Sequence, residues 1–261
     1  MGAIDRMKST VEQIIREAIR VLQQSGTILP EVPIEIQVFM TKNVRHGDYA
    51  TNIALHLAKF ASLPSMKLAA VLVQMLSPSP LIERIEIAEP GFINFFIKKI
   101  DRLQIIPMVL TQGGAFGNPP DALQQAVSSE FVSGHLVYSI QYAHARISGL
   151  FRQLQACDSF WNERVGEVSL HLLVCPHEAV LVFLLNRYPE VVKAAGRPID
   201  RDLIANYLHE LAKGLHSYYN AVPLLCEPVE LRQARLILLK AVRQVLKNGV
   251  QLLGVSAPES M

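Results

Sequence analysis

Apolar side chains recur at Ile4, Met7, Val11, Ile14, Ile15, Ala18, Ile19 and Leu22, the three-and-four spacing of one helical face, and Gly26 supplies a stop. One amphipathic helix therefore opens the chain. The period then falls to two: Ile34, Ile36 and Val38 alternate with Glu35 and Gln37, which predicts a half-buried strand ended by the polar stretch Thr41 to Asp48. Helices are expected over roughly Ala50 to Ala61 and Ser65 to Leu76. Pro64 and Ser65 begin the second, because proline and a hydroxyl both suit a first turn whose N–H groups lack helical partners. Ile85 and Ile87 alternate with acidic residues, Pro90 and Gly91 make a turn, and Phe92 to Ile97 form another β-rich run, so this pair reads as a hairpin. Residues 1–110 are thus expected to form an α+β domain.

From Thr111 to Ser133 the chain carries Gly113, Gly114, Gly117, Pro119 and Pro120 with little periodicity, and residues 111–133 are assigned as a linker. Beyond it only helices are convincing: Leu136 to Gln155, Pro176 to Arg187, Pro189 to Ala195, Arg201 to Asn220 and Pro228 to Asn248. Residues 134–261 are expected to be an all-α helical bundle.

Composition narrows the function classes. Half of the residues are hydrophobic and 18% are charged, which excludes disorder and collagen-like repeats. Lys and Arg total 25 against 23 Asp and Glu, nearly balanced in each half, so any nucleic-acid contact must be local and shaped rather than driven by bulk charge. Cys157, Cys175 and Cys226 are an odd set without a C-x-x-C pair, as in a protein of the reducing cytoplasm. The charged N-terminal helix lacks a signal-peptide core, and Pro176, His177 and Glu178 interrupt the apolar run around them, so no membrane span is expected.

Two neighbourhoods carry a family pattern. HGDYATNIALHLAK (His46 to Lys59) followed by EIAEPGFINFFI (Glu86 to Ile97) resembles the N-terminal tRNA-binding domain of bacterial arginyl-tRNA synthetases. SIQYAHARI (Ser139 to Ile147), YLHELAKGLHSYYN (Tyr207 to Asn220) and the closing stretch from Glu230 to Met261 are similar to the anticodon-binding helical domain of the same enzymes. Such synthetases hold a nucleotide-binding catalytic domain between these modules. Here about twenty residues stand in its place. SSEFVSGH (Ser128 to His135) resembles the first catalytic strand with a remnant of its signature turn, and Gly113, Gly114 and Gly117 are not followed by the Gly-Lys-Ser/Thr of a phosphate cradle. The expectation is a non-catalytic paralogue without catalytic residues, metal or cofactor, which binds tRNA, an arginine tRNA being the first candidate.

The resemblance implies roles for particular residues. Arg146 and Arg152 correspond to arginines facing the anticodon loop, Tyr219 to an aromatic there, and Met261 places its terminal carboxylate nearby. Ser139 replaces a frequent tyrosine, and Tyr138 is the neighbouring substitute for that stacking platform. Gln141, Tyr142 and His144 match the motif, with two of the three expected to pack the helix. Arg235 is expected on the same exposed face as Arg146, Arg152 and Tyr219. In the first domain Asn94 would read a base edge in the D-loop, Phe92 or Phe96 would stack and Lys98 would hold a phosphate, since single-stranded RNA is bound by aromatic planes, short polar groups and cations. The competing assignment puts Phe92 and Phe96 in the core with Phe95 outward. In His46-Gly47-Asp48-Tyr49 the expected roles are structural: a positive φ at Gly47, a helix cap from Asp48, and Tyr49 covering the hairpin.

The other polar singletons have bland expectations. His171, Cys175 and His177 crowd together, but a zinc site needs a fourth ligand, so a packed or surface role is expected. Cys157 has only Asp158 beside it, which opposes thiolate formation. Asp200, Asp202 and Glu210 suit helix N-terminal and solvent-face positions. The rival function is a protein-interaction module, dimeric or bound to a partner, in which the apolar run LLVCPHEAVLVFLL supplies a contact surface.

Overall fold

The computed structural model describes residues 3–28, 34–61, 63–118, 134–156, 161–225 and 228–261. It divides into two compact units, Met1–Arg102 and Leu103–Met261. In the first, α1 (Ala3–Gln24) buries every apolar position from Ile4 to Leu22 named above. Its partners are α2 (Ile53–Leu57), α3 (Ser65–Met75) and one face of a four-stranded antiparallel sheet. The strands β1 (Val38–Met40), β2 (Tyr49–Thr51), β3 (Ile82–Ala88) and β4 (Phe92–Ile97) lie in the order β1-β2-β4-β3.

Three expectations change here. Pairing begins only at Val38, although Ile34 and Ile36 still turn toward the core while Glu35 and Gln37 stay exposed. Ala50 belongs to β2 rather than to a helix, because Tyr49, Ala50 and Thr51 are sandwiched between β1 and β4 and spend their backbone groups on those ladders. On β4 the alternation of a strand puts Ile93, Phe95 and Ile97 in the core. Phe92, Asn94 and Phe96 share the other face. Phe95 is therefore the core aromatic, reversing the assignment that put Phe92 and Phe96 there.

The expected first domain ended at residue 110, but the division falls after Arg102. After α4 (Lys99–Leu103), α5 (Ile105–Gln112) buries Ile105, Ile106 and Val109 and packs against helices of the second unit. The segment that follows is fastened too. Phe116 is 1% exposed and stacks on Tyr188, whose hydroxyl donates to Asn118 Oδ1 at 2.6 Å. Asn248 Nδ2 donates to Gly113 O at 2.8 Å and to Phe116 O at 3.1 Å. Residues 111–118 are thus part of the helical unit, not linker. The rest of the expected linker, including Ser128 to Ser133, lies outside the described residues, as do Cys157, Asp158 and Cys226.

The second unit consists of α5, α6 (Gly134–Ala156), the short α7 (Glu163–Val168), α8 (Pro176–Ala194), α9 (Arg201–Ala221) and α10 (Val229–Leu252). Helix α10 runs through its centre, touching α5, α6, α7, α8 and α9. Close approach is bought by glycine: a Cβ on Gly249 would stand 2.4 Å from Leu208 Cδ2, and one on Gly166 2.3 Å from Ile237 Cγ1. Helix α8 was expected as two pieces broken at Pro189, yet it is continuous. Buried Tyr188 and Val192 on either side hold the turn in place, so packing offsets the missing proline N–H. The run Leu181 to Leu185 is core on all sides, which removes it as a contact surface for a partner.

Candidate nucleic-acid interface

In the helical unit, five residues on α6 and α9 build an aromatic and cationic face. Tyr138 and Tyr142, one turn apart, stack with ring centroids 6.4 Å apart and planes 8° from parallel. Tyr142 then meets the His216 ring at 5.6 Å. Arg146, one turn further on, places its Cζ 4.3 Å from the Tyr219 ring centroid and its Nη1 3.5 Å from His216 Nδ1. Tyr138 is 59% exposed and Tyr142 42%, so this ladder is open to a ligand. Burial lowers the His216 pKa and Arg146 lowers it further, both favouring the neutral imidazole beside the guanidinium. Burial also pushes Tyr219 up to about 12, and its hydroxyl has no hydrogen-bond partner among the described residues.

The remaining residues expected on that face are used otherwise. Gln141 Nε2 donates to Ser256 O at 2.8 Å, His144 Nδ1 to Pro258 O at 2.8 Å, and Arg152 Nη2 to Glu259 O at 2.8 Å. These three side chains hold the non-helical segment after Gly254 along α6, so Arg152 and Gln141 point away from the Arg146 side. Met261 ends that segment with its side chain exposed. Of the motif trio, Gln141 and His144 pack and Tyr142 is the exposed member, a stacking residue that the sequence did not single out. Its i,i+4 spacing from Tyr138 was the available signal.

Arg235 is nearly buried rather than on that face. Its Nε donates to Glu178 Oε1 at 2.9 Å and its Nη1 to Pro223 O at 2.7 Å, with only 9% of the residue exposed. Glu178, 1% exposed, also accepts from Tyr218 Oη at 3.1 Å and from Cys175 N at 2.8 Å. A buried carboxylate needs such a full set of donors, and Arg235 is its counter-charge rather than an RNA contact.

In the first unit the outer face of the sheet carries a cavity of about 350 Å³. Phe39 and Phe92 form an edge-to-face pair 6.3 Å apart on its wall, and Asn94, 5% exposed, lines it from the middle of β4. Lys42 and His46 bring charge and polarity from the loop after β1. Lys98 is not there: it is exposed just beyond the far end of β4, about 20 Å along the strand from Phe92. Phe96 is covered instead by Arg84, whose Cζ sits 3.6 Å above the ring centroid. The loop itself lies flush on β4. Asp48 N donates to Phe95 O at 2.9 Å, and Gly47 has φ +79°, where a Cβ would stand 2.6 Å from that same oxygen. Asp48 caps no helix. Its Oδ2 accepts from Ile97 N at 2.8 Å, and burial pushes its pKa up to about 6 against the opposing pull of Arg102. Tyr49 is a core residue facing Phe95.

Among the described residues no group of His, Cys, Asp or Glu side chains could hold a metal ion. Cys175 Sγ and His177 Nδ1 stand 3.6 Å apart, while His171 Nδ1 donates to Val168 O at 3.1 Å. Asp200 accepts from Leu203 N at the start of α9, and Glu210 pairs with Arg187 at 3.0 Å. Among the described residues no helix is long and apolar enough to cross a membrane.

The described residues thus form a small antiparallel sheet backed by helices and a helical unit. Residues 7–97 match the arginyl tRNA synthetase N terminal domain, and residues 140–261 match the DALR anticodon binding domain. The chain therefore carries both of these arginyl-tRNA synthetase modules. It is similar to the arginine–tRNA ligase of Legionella pneumophila, 55% identical over 129 residues, which are 49% of this chain and 22% of that protein. That of Halorhodospira halophila is 50% identical over 125 residues, 48% of this chain and 21% of that protein. The matched stretch is thus about a fifth of the length of these curated relatives. A Thermus thermophilus arginyl-tRNA synthetase structure aligns with 96% of this chain and 58% of its own, at 18% identity and TM-score 0.42.

Proposed function

We propose that this chain binds tRNA through two separate surfaces and does not aminoacylate it. The observation that carries this reading is the exposed ladder Tyr138, Tyr142 and His216 with Arg146 over Tyr219 at its end. Rings offer planes to unstacked bases, and a guanidinium beside them meets phosphate or a base edge. The cavity of Phe39, Phe92 and Asn94 in the first unit is a second place for a single base: two aromatic walls, an amide for the base edge, and Lys42 at the rim. The non-catalytic half of the proposal rests on the short stretch between the matched modules, residues 98–139, which carries no recognisable phosphate-binding motif.

Electrophoretic mobility shift with total tRNA, then with arginine tRNA transcripts, tests the binding. Micromolar affinity is expected, and no shift up to high micromolar protein overturns the reading. Arginine-dependent exchange of pyrophosphate into ATP is expected to stay at background; turnover above it would overturn the non-catalytic part.

A second reading, a protein-interaction module, has one observation in its favour. Val168 and Val174, 70% and 79% exposed, flank the short turn Leu170–Leu172. Light scattering on the purified chain distinguishes a self-associating module from a monomer.

A further inference from the structure

On the side of α6 away from the aromatic ladder, the helical unit holds another cavity, of about 300 Å³, between the C-terminal half of α6, α10 and the segment ending at Met261. From its lining we infer that it binds a nucleoside monophosphate unit, base against Trp161 and phosphate against Arg243 and Lys240.

Four features converge on that ligand. Trp161 is half-buried and meets Phe151 edge to face at 5.5 Å, which gives the cavity an aromatic wall of the size a base requires. Arg152, Lys240 and Arg243 line it against two carboxylates, Glu163 and Glu259, so the lining is net positive by one charge. Two of these cations have partners: Lys240 is paired with Glu163, and Arg152 donates to Glu259 O. Arg243 lies over the Phe151 ring at 5.0 Å, and burial lowers its pKa with only Glu259 opposing. A half-buried guanidinium with a single carboxylate acting on it gains from a further anion. Ser148 lines the same cavity, is 3% exposed, and its Oγ has no hydrogen-bond partner among the described residues. A polar ligand supplies what that hydroxyl lacks. Finally, Glu259 lines the cavity, and a carboxylate there would accept from an exocyclic amino group, which adenine, cytosine and guanine have and uracil lacks.

Such a unit has two sources, a free mononucleotide or an unstacked residue of a bound RNA. Trp161 is the single tryptophan of the chain, so its fluorescence reports occupancy directly. Titration of the full chain with AMP, CMP, GMP and UMP is expected to give saturable quenching, weakest for UMP. Arg243→Gln should weaken it at least tenfold and Lys240→Gln severalfold, with circular dichroism confirming that both variants fold. Tyr142→Ala, on the other face, should leave the quenching intact while lowering tRNA affinity, which separates this site from the tRNA reading. Quenching by tRNA that CMP reverses identifies the RNA residue as the source, and quenching by mononucleotides alone identifies the free nucleotide. No quenching by any of the four at millimolar concentration overturns the inference, as does equal quenching by inorganic phosphate alone.

Discussion

Arg235 and Glu178 form a buried ion pair, Nε to Oε1 at 2.9 Å, that ties α10 to the first turn of α8 in the interior of the helical unit. Removing one partner leaves an uncompensated buried charge. Arg235→Met is therefore expected to lower the stability of this unit by about 3–5 kcal/mol in urea denaturation. Because the Arg235 guanidinium is nearly buried and engaged by Glu178 and Pro223 O, tRNA affinity of the folded fraction should not change; a selective loss of RNA binding at unaltered stability would refute the structural role.

Arg146 and Arg152 sit on one helix but serve different partners. Arg146→Ala should weaken tRNA binding roughly tenfold and flatten the salt dependence by about one phosphate contact. Arg152→Ala should change affinity little and instead loosen residues 254–261, seen as faster amide exchange there. Equal losses for the two variants would mean that the tail-side arginine also meets RNA.

Asp48 makes the first unit prefer mild acid. Its carboxyl titrates near 6 when folded, against 3.8 for the free group, so the native state holds the proton more tightly than the unfolded chain. That contribution is full below about pH 4 and is lost as the pH rises through 6, a difference on the order of 2–3 kcal/mol. Asp48→Asn keeps an oxygen to accept from Ile97 N and is expected to be more stable than the parent at pH 7.5, with the advantage vanishing near pH 4. Denaturation at both pH values checks the sign.

Asn248 fastens residues 113–118 to α10. Its Nδ2 serves Gly113 O and Phe116 O, and its own carbonyl accepts from Asn118 Nδ2 at 3.2 Å. Asn248→Ala leaves buried carbonyls without a donor and should cost about 2–4 kcal/mol. Limited proteolysis is then expected to cut within 113–118 first, whereas the parent should resist there.

These residues also mark how far the sequence could be read. The face of α1 was legible because a helix buried on one side repeats its apolar positions every three or four residues, and the hairpin of β3 and β4 was legible from its turn. The facing of β4 was not, since Phe92 to Ile97 is apolar at both parities except for Asn94. That one polar residue was the available marker, and Phe92 and Phe96 share its side. Pro189 misled for a related reason: a proline is a local stop signal, overridden here by burial of the residues around it. Arg235 could not be told from a surface arginine, because its partner Glu178 lies 57 positions away.

Local periodicity and motif order determined that an α+β module precedes a helical bundle and that both resemble parts of an arginyl-tRNA synthetase. Each of those signals arises between residues close along the chain. Only the tertiary structure decided that residues 103–118 belong to the second unit, that Gln141, His144 and Arg152 hold the C-terminal segment, and that Tyr142 joins Tyr138 and His216 on an open face. Those outcomes depend on which side chains meet across helices distant in sequence, and pairing at that range leaves no periodic trace in the chain itself.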